Sequence, residues 1–362
     1  MNLPRWLQVY LLPGIVFQAV LFGGAYGTGR EIVEFVTRHG RVGGLLALGL
    51  IALLFSLILI LTFECARQFK TYDYRTFFQA LIGRGWLAYE VLFVAMLLLV
   101  LAVNLSAAEI VLATVFHANR TLTLIGFVVL TVLLLYAGTR VVEVAMLLGV
   151  VLLALCLGIF AALVIGGAPQ EGLPVVEAGD QAQGWALSGF QYALYNSAAI
   201  PVLLYSTEAI ESRRESMVAG LMAGIAGVAP AFVLHLTFID SIPMVLDAEF
   251  PVRFVLQQHQ QGAFLSAYAL VLYSMILLTA VGLLHGMNRR IGFWLDKVTG
   301  GEPRRSLGPL VSGALILLSL LLAKIGLITL IARGYGSMAW GFLAVYLLPL
   351  MLRGVRIVFR AG

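Results

Sequence analysis

The chain has 362 residues, of which 61% are hydrophobic and only 11% are charged. Soluble domains carry about 25% charged residues, so this composition excludes a soluble globular enzyme, a disordered chain and a DNA-binding protein. The formal charge of +5 requires no nucleic-acid partner, because membrane proteins collect Lys and Arg in their cytoplasmic loops. We therefore expect an integral membrane protein that lies in a lipid bilayer.

About ten apolar segments follow one another along the chain, and a spanning helix needs about 20 mostly apolar residues. They cover approximately residues 7–38, 42–66, 85–116, 121–138, 140–166, 184–210, 215–241, 261–290, 306–331 and 335–353. No stretch is left for a soluble domain. The sequence thus predicts an all-α membrane protein with a single transmembrane domain over residues 1–362.

The orientation of these spans follows from the distribution of Lys and Arg. With the N-terminus inside and ten alternating spans, most basic residues fall on the inner side. Arg30 and Lys324 lie within spans, and the outer side receives only Arg38, Arg41, Arg120, Arg253 and Arg333. We expect a multi-pass protein of a bacterial inner membrane, with both termini cytoplasmic.

Two of the segments carry strong helix-breaking signals. Residues Gly23–Gly29 contain four glycines in seven positions, and each costs roughly 1 kcal/mol in a helix relative to Ala. In the sixth segment, Pro201 follows Tyr195-Asn196-Ser197 and removes a helical hydrogen bond. Each segment is therefore predicted to form two half-helices joined by a non-helical stretch.

The positions of these interruptions indicate an inverted repeat. Segments 1 and 6 each open a group of five, and an odd number of spans inserts the second group upside down. The predicted repeats are residues 7–166 and 184–353. Paired broken helices in two inverted halves are typical of the binding site of a secondary transporter, because irregular backbone at membrane depth lines a cavity or is buried in protein.

Three motifs resemble a known family. The run Phe22–Ile32, the run Gln191–Asn196 and the run Leu278–Gly282 resemble the bacterial YkvI-type membrane proteins. That family is similar to the amino acid–polyamine–organocation superfamily. The resemblance implies a LeuT-type five-plus-five inverted repeat with helices 1 and 6 broken. It also implies alternating access and, as substrate, a small amino acid or amine.

The substrate site is expected between the two interruptions. Free backbone amides after the first interruption could hold a carboxylate. The amide of Asn196 offers donors and an acceptor, and tyrosine rings can cover an apolar group or contact a cation. The predicted substrate-binding residues are Gly23, Gly24, Ala25, Tyr26, Gly27, Asn104, Tyr192, Tyr195, Asn196 and Ser197.

The coupling ion is predicted to be Na⁺ or H⁺, with no other cofactor. The resemblance suggests the carbonyls of Ala19 and Phe22 and the hydroxyl of Thr279 as Na⁺ ligands. A hard cation needs more oxygens than these three, which favours protons. Glu31 could carry the proton, line the outer vestibule or pair with Arg30.

Charged residues inside apolar segments are expected to pair. Glu109 and Lys324 lie at similar predicted depths, which indicates either a salt bridge between segments 3 and 9 or a snorkelling Lys324 with Glu109 facing the cavity. Other acids lie near the inner ends of segments and are expected to be solvated, namely Glu64, Glu90, Glu143, Glu208 and Glu211.

The sequence contains no H-E-x-x-H motif and no Cys/His cluster with metal spacing, so we expect no enzyme. The preferred function is a secondary active transporter of a small amino acid or amine, because the polar residues cluster at the two interruptions. The alternatives are a proton-coupled transporter of another small organic solute, a channel, or a ligand-sensing membrane protein. The oligomeric state is left open.

Overall fold

The computed structural model describes residues 4–22, 24–136, 139–167, 183–299 and 307–356, and every regular element in these ranges is helical. Within them, six helices are long and apolar enough to cross a membrane: Arg30–Phe69, Tyr74–Phe116, Val144–Ile165, Arg213–Ser241, Gly262–Asn288 and Leu327–Gly354. The shorter apolar helices are Leu7–Leu21, Arg120–Leu135 and Val311–Ala323. The prediction of an all-α, multi-pass membrane protein is confirmed.

The first half of the chain follows the predicted segments closely. A π-helical turn at Leu7–Leu11 leads into the first helix. The helices are α1 Leu12–Leu21, α2 Arg30–Phe35, α3 Gly40–Phe69, α4 Tyr74–Ile82, α5 Trp86–Phe116, α6 Arg120–Tyr136 and α7 Thr139–Ile165. The short α4 was not predicted. It begins at Tyr74 because the Asp73 side chain accepts hydrogen bonds from the amides of Arg75 and Thr76, both at 3.0 Å, which is an N-cap.

The second half contains α8 Trp185–Asn196, α9 Arg213–Phe238, α10 Pro251–Gln258, α11 Gly262–Thr299, α12 Leu307–Ala323, α13 Leu327–Thr329 and α14 Gly336–Phe342. The last apolar helix alternates α13 and α14 with π-helical turns at Leu330–Tyr335, Leu343–Leu347 and Leu350–Gly354. A capping box fixes the start of α9, because Ser212 and Glu215 each bond the backbone of the other.

The boundary between segments 9 and 10 differs from the prediction. The chain turns at residues 324–326, and Gly326 has a φ of +93°, a conformation that glycine adopts readily. The expected boundary at residues 332–334 is instead part of a continuous helix, with a π-helical turn at Leu330–Tyr335.

The helices pack in two groups. In the first, α8 and α9 pack with α3 and α1 packs with α9, and the α3–α9 contact is the most extensive among the described helices. Two glycines of α9 make this contact possible, because a Cβ atom would lie 2.6 Å from the backbone nitrogen of Ile60 at Gly220 and 2.5 Å from that of Ser56 at Gly224. In the second group, α5 packs with α6, α11 and α12.

Both predicted interruptions depart from α-helical geometry. Helix α1 ends at Leu21, a 3-10 segment runs over Gly24–Thr28, and Gly29 has a φ of +81° before α2 begins. Helix α8 ends at Asn196 and passes directly into the 3-10 segment Ser197–Thr207.

The sixth segment was therefore predicted only in part. Tyr195 and Asn196 remain in α8, and no second α half-helix follows before Glu208. The hydroxyls of Ser197, Ser206 and Thr207 donate to the carbonyls of the residues three positions earlier, at 2.6–2.7 Å. These bonds compete with i→i−4 backbone bonds, and Pro201 has no amide proton to give one.

Candidate functional site

The centre of the candidate site is the carboxylate of Glu31. This residue lies in the first turn of α2 and is only 7% exposed. The hydroxyl of Tyr195 donates a hydrogen bond of 2.8 Å to Glu31 Oε2. The bond joins the chain after the first interruption to the chain before the second, so the two predicted interruptions do meet in space.

An aromatic cluster surrounds this carboxylate. The rings of Tyr195 and Tyr335 stack with centroids 4.7 Å apart, and Phe35 lies 5.4 Å from Tyr195 and 5.9 Å from Tyr192. Tyr335 and Tyr26 both lie within electrostatic range of Glu31. All four tyrosines are at most 3% exposed. The cluster presents π-faces and hydroxyls around one carboxyl group.

The first interruption supplies backbone and one aromatic ring. Its segment Gly24–Thr28 packs against α5 and α11, where the hydroxyl of Tyr268 donates to the carbonyl of Gly27. Tyr26 lies edge to face with Phe22 at 5.3 Å. A Cβ at Gly27 would lie 2.5 Å from the Leu272 Cδ1 atom, so a larger residue there would require the Leu272 side chain to move. Of the other predicted residues, Gly23 lies outside the described ranges and only the backbone of Gly24 and Ala25 is described.

Two buried amides lack partners. Asn104 on α5 is 1% exposed, and within the described ranges neither its Nδ2 nor its Oδ1 has a hydrogen-bond partner. The same holds for Nε2 and Oε1 of Gln18 on α1. An unsatisfied buried polar group costs about 1–3 kcal/mol, so both amides are candidates for contact with a ligand. Asn104 was predicted, whereas Gln18, which the sequence shows four residues before the interruption, was missed.

Several predicted site residues donate hydrogen bonds to backbone carbonyls three or four residues earlier in the chain. The amide nitrogen of Asn196 donates to the Tyr192 carbonyl at 3.0 Å, and the Ser197 hydroxyl donates to the Leu194 carbonyl at 2.6 Å. The Thr279 hydroxyl donates to the Met275 carbonyl of its own helix at 2.8 Å. The predicted Na⁺ donors Ala19 and Phe22 lie at the end of α1, and Phe22 is its C-cap.

Arg30 is not the partner of Glu31, contrary to one of the predicted possibilities. Its guanidinium pairs with Glu34 at 2.6 Å and donates to the carbonyls of Leu246 and Ala248 at 2.5 and 3.1 Å. The geometry explains this, because side chains four residues apart share one helical face and adjacent ones do not. In the described ranges Glu31 makes no ion pair.

The predicted salt bridge between Glu109 and Lys324 is wrong for this structure. Glu109 pairs with Arg120 at 2.7 Å, and Lys324 is exposed in the turn after α12. Helix α12 does pack on α5, where Ser106 donates to the Ala323 carbonyl at 3.1 Å. The pairing fails because α12 ends one residue before Lys324, while Arg120 begins the helix that follows Glu109 in the chain.

The face of the molecule at which α1 begins, called here the N-terminal face, carries an ionic network. Glu64 was predicted to be solvated but is 1% exposed. It accepts hydrogen bonds from Arg67 at 2.6 Å, Gln68 at 2.8 Å and Ser216 at 2.8 Å. Beside it, Arg5 pairs with the acids that flank the start of α9, Glu211 at 3.1 Å and Glu215 at 2.8 Å.

No family model matches the chain, and no curated protein matches it. Two solved structures of the Eremococcus coleocola manganese transporter are similar to it. One, a mutant, is 14% identical with a TM-score of 0.57, over 97% of this chain and 80% of that one. The other, a complex with an aromatic bis-isothiourea substituted compound, is 14% identical with a TM-score of 0.56, over 95% and 78%.

At this identity the likeness establishes the fold alone. The chain shares the LeuT-type fold of that transporter, which agrees at the level of the fold with the expectation of a transporter rather than an enzyme. The resemblance to the YkvI-type proteins stays a prediction that rests on the three motifs.

Proposed function

We propose that the chain is a secondary active transporter that moves a small amino acid or amine by alternating access, through a central site between the two interruptions. The hydrogen bond between Tyr195 and Glu31 carries this proposal, because it brings the interrupted segments of both predicted repeats, 7–166 and 184–353, to one buried point. The membrane is a bacterial inner membrane, with both termini on the cytoplasmic side.

The chemistry around Glu31 suits a cationic amino group. A buried carboxylate without a basic partner attracts a cation, and the surrounding tyrosine rings add cation–π attraction. The unpartnered amides of Asn104 and Gln18 can donate to a carboxylate or accept from an amine. We assign the substrate's amino group to Glu31 and its polar remainder to these amides.

Coupling is assigned to protons, with Glu31 as the carrier. Binding an ammonium group and binding a proton both neutralise this carboxylate, so the two events compete at one site. A Na⁺ site formed by Ala19, Phe22 and Thr279 is the alternative, and it would make uptake depend on Na⁺ at constant pH.

The relation to a manganese transporter supports a divalent cation as a second candidate substrate. Carboxylates are ligands for Mn²⁺, and Glu31 supplies a buried carboxylate beside the first interruption. In the described ranges no group of three or more His, Cys, Asp or Glu side chains lies close enough together to hold a metal ion.

The first experiment screens the purified protein for ligand-induced thermal stabilisation with amino acids, amines and MnCl₂, at several pH values with and without Na⁺. A ligand at 100 times its Kd stabilises the folded state by about 2.7 kcal/mol. The expected result is stabilisation by an amine or amino acid. Stabilisation by Mn²⁺ alone would instead support the second candidate.

Variants then locate the site. Glu31→Gln keeps the shape of the side chain and removes its charge, so it should weaken binding of the amine about ten- to a hundredfold. Glu208→Gln is the matched control, since this acid is exposed at the end of the 3-10 segment. Equal affinity in both variants would contradict the assignment to Glu31. In liposomes, counterflow of labelled substrate would support a carrier, whereas single-channel currents would support a channel.

A further inference from the structure

A second candidate site lies at the periphery of the molecule, on the surface formed by α5, α6 and α12. Two cavities adjoin there, of about 820 and 450 Å³, and Leu317 and Leu320 of α12 line both of them. The volumes fall in the range of about 300–1,000 Å³ that is typical of ligand sites. We call the two cavities together the lateral groove.

One end of the lateral groove is charged. Arg120 pairs with Glu109 there, and its side chain is 66% exposed. Lys324 lines the same cavity and makes no ion pair within the described ranges. Glu249, also exposed, lies within electrostatic range of Glu109. Since Arg120 already has a partner in Glu109, the cation that faces the groove without an ion pair is Lys324.

The rest of the lateral groove is mostly apolar. Leu124 and Leu321 line it near the charged end, and Val128 and Ile316 line it further along. Its far end is polar, where Asn288 donates to Ser312 at 2.9 Å. Several wall residues face outward without protein cover, since Leu317 is 64% and Leu321 62% exposed.

The dimensions match one leaflet of a bilayer. Ser312 and Lys324 are twelve positions apart, which is about 18 Å along a helix, and half of the hydrocarbon core is about 15 Å thick. The charged end lies where α12 ends and α6 begins, and the ends of spanning helices are expected near a membrane surface. An amphiphile with an anionic head and an apolar chain fits this arrangement.

We propose that the lateral groove is a binding site for a membrane phospholipid. The phosphate lies at Lys324 and Arg120, and one acyl chain follows the leucines of α12 toward Ser312. A Lys ammonium forms charge-assisted hydrogen bonds with phosphate oxygens, and Lys324, without an ion pair in the described ranges, supplies that charge on the predicted outer side. The proposal is independent of the transported substrate, because none of these residues belongs to the central site.

The test measures lipid binding to delipidated protein in detergent by native mass spectrometry and thermal unfolding. The probes are phosphatidylglycerol, a diacylglycerol with the same chains and no phosphate, and glycerol phosphate without chains. Binding and stabilisation by phosphatidylglycerol alone are expected. Equal binding of the diacylglycerol would overturn headgroup recognition, and equal stabilisation by glycerol phosphate would show a free-anion site instead of a lipid site.

Three variants place the lipid in the lateral groove. Lys324→Gln should lower the affinity for phosphatidylglycerol about fivefold, the factor expected for one surface cation. Leu320→Trp adds bulk to the wall that both cavities share and should abolish binding. Arg333→Gln removes an exposed cation that lines neither cavity and is the control. The proposal is overturned if Lys324→Gln and Leu320→Trp bind this lipid as the unchanged protein does, or if Arg333→Gln loses as much affinity as Lys324→Gln.

Discussion

The contact between α3 and α9 provides a sharp test of the fold. Gly224→Ala would place a Cβ atom 2.5 Å from the backbone nitrogen of Ser56 and 2.6 Å from its Cα. Ordinary contacts of this kind begin at 3.4 Å, so the helices must separate locally by about 0.9 Å. Because the obstruction is backbone, no rotamer change relieves it. Overpacking of this kind costs about 1–3 kcal/mol.

Thermal unfolding in detergent measures this cost, and we expect Gly224→Ala to lower the midpoint by a few degrees. Gly49→Ala is the matched control, because Gly49 lies on α3 with no atom within 4 Å of the added Cβ. Ala is preferred over Gly in a helix, so this control should be neutral or stabilising. Equal midpoints for the two variants would refute the close approach of α3 and α9.

Three further results are expected. Tyr195→Phe removes the hydrogen bond to the buried Glu31 carboxylate, so it should lower the free energy of unfolding by about 1.5–3 kcal/mol in a denaturant titration; an unchanged value would contradict that bond. Arg120→Gln should lower the free energy of unfolding more than the double variant Arg120→Gln/Glu109→Gln does, because the single change leaves a half-buried carboxylate unpaired. Additive losses of free energy in a double-mutant cycle would argue against the pair. Arg5→Gln should accelerate amide hydrogen exchange in the first helical turns while barely moving the unfolding midpoint, since exposed ion pairs contribute little; unchanged exchange would mean that the ionic network does not hold this end.

The sequence predicts the spans and the two interruptions because these follow from local rules. The glycine cluster at Gly23–Gly29 and the proline at position 201 act on their own backbone, whatever packs around them. The boundary of the last helix was missed for the converse reason. The drop in hydropathy at residues 332–334 suggested a boundary, but these residues lie in a π-helical turn of one continuous helix.

The partners of individual side chains were harder to predict. Glu31 and Tyr195 were both identified, but their hydrogen bond spans 164 positions and depends on how two interruptions meet. Tyr335 was missed because nothing local distinguishes it from an interfacial tyrosine. Glu64 was predicted to be a solvated acid. Its burial depends on the tertiary contact with α9, whose Ser216 donates a hydrogen bond to it. Pairing is a property of tertiary structure, and hydropathy contains no information about it.

The 3-10 segment Ser197–Thr207 has a mechanical consequence. A 3-10 helix rises about 2.0 Å per residue and an α-helix about 1.5 Å, so the 11 residues of this segment are about 5 Å longer than the same residues wound as an α-helix. The segment therefore places Glu208 about 5 Å farther from Asn196 than the same residues would in an α-helix. Pro201 holds this extra length in place, because it has no amide proton for an α-helical bond.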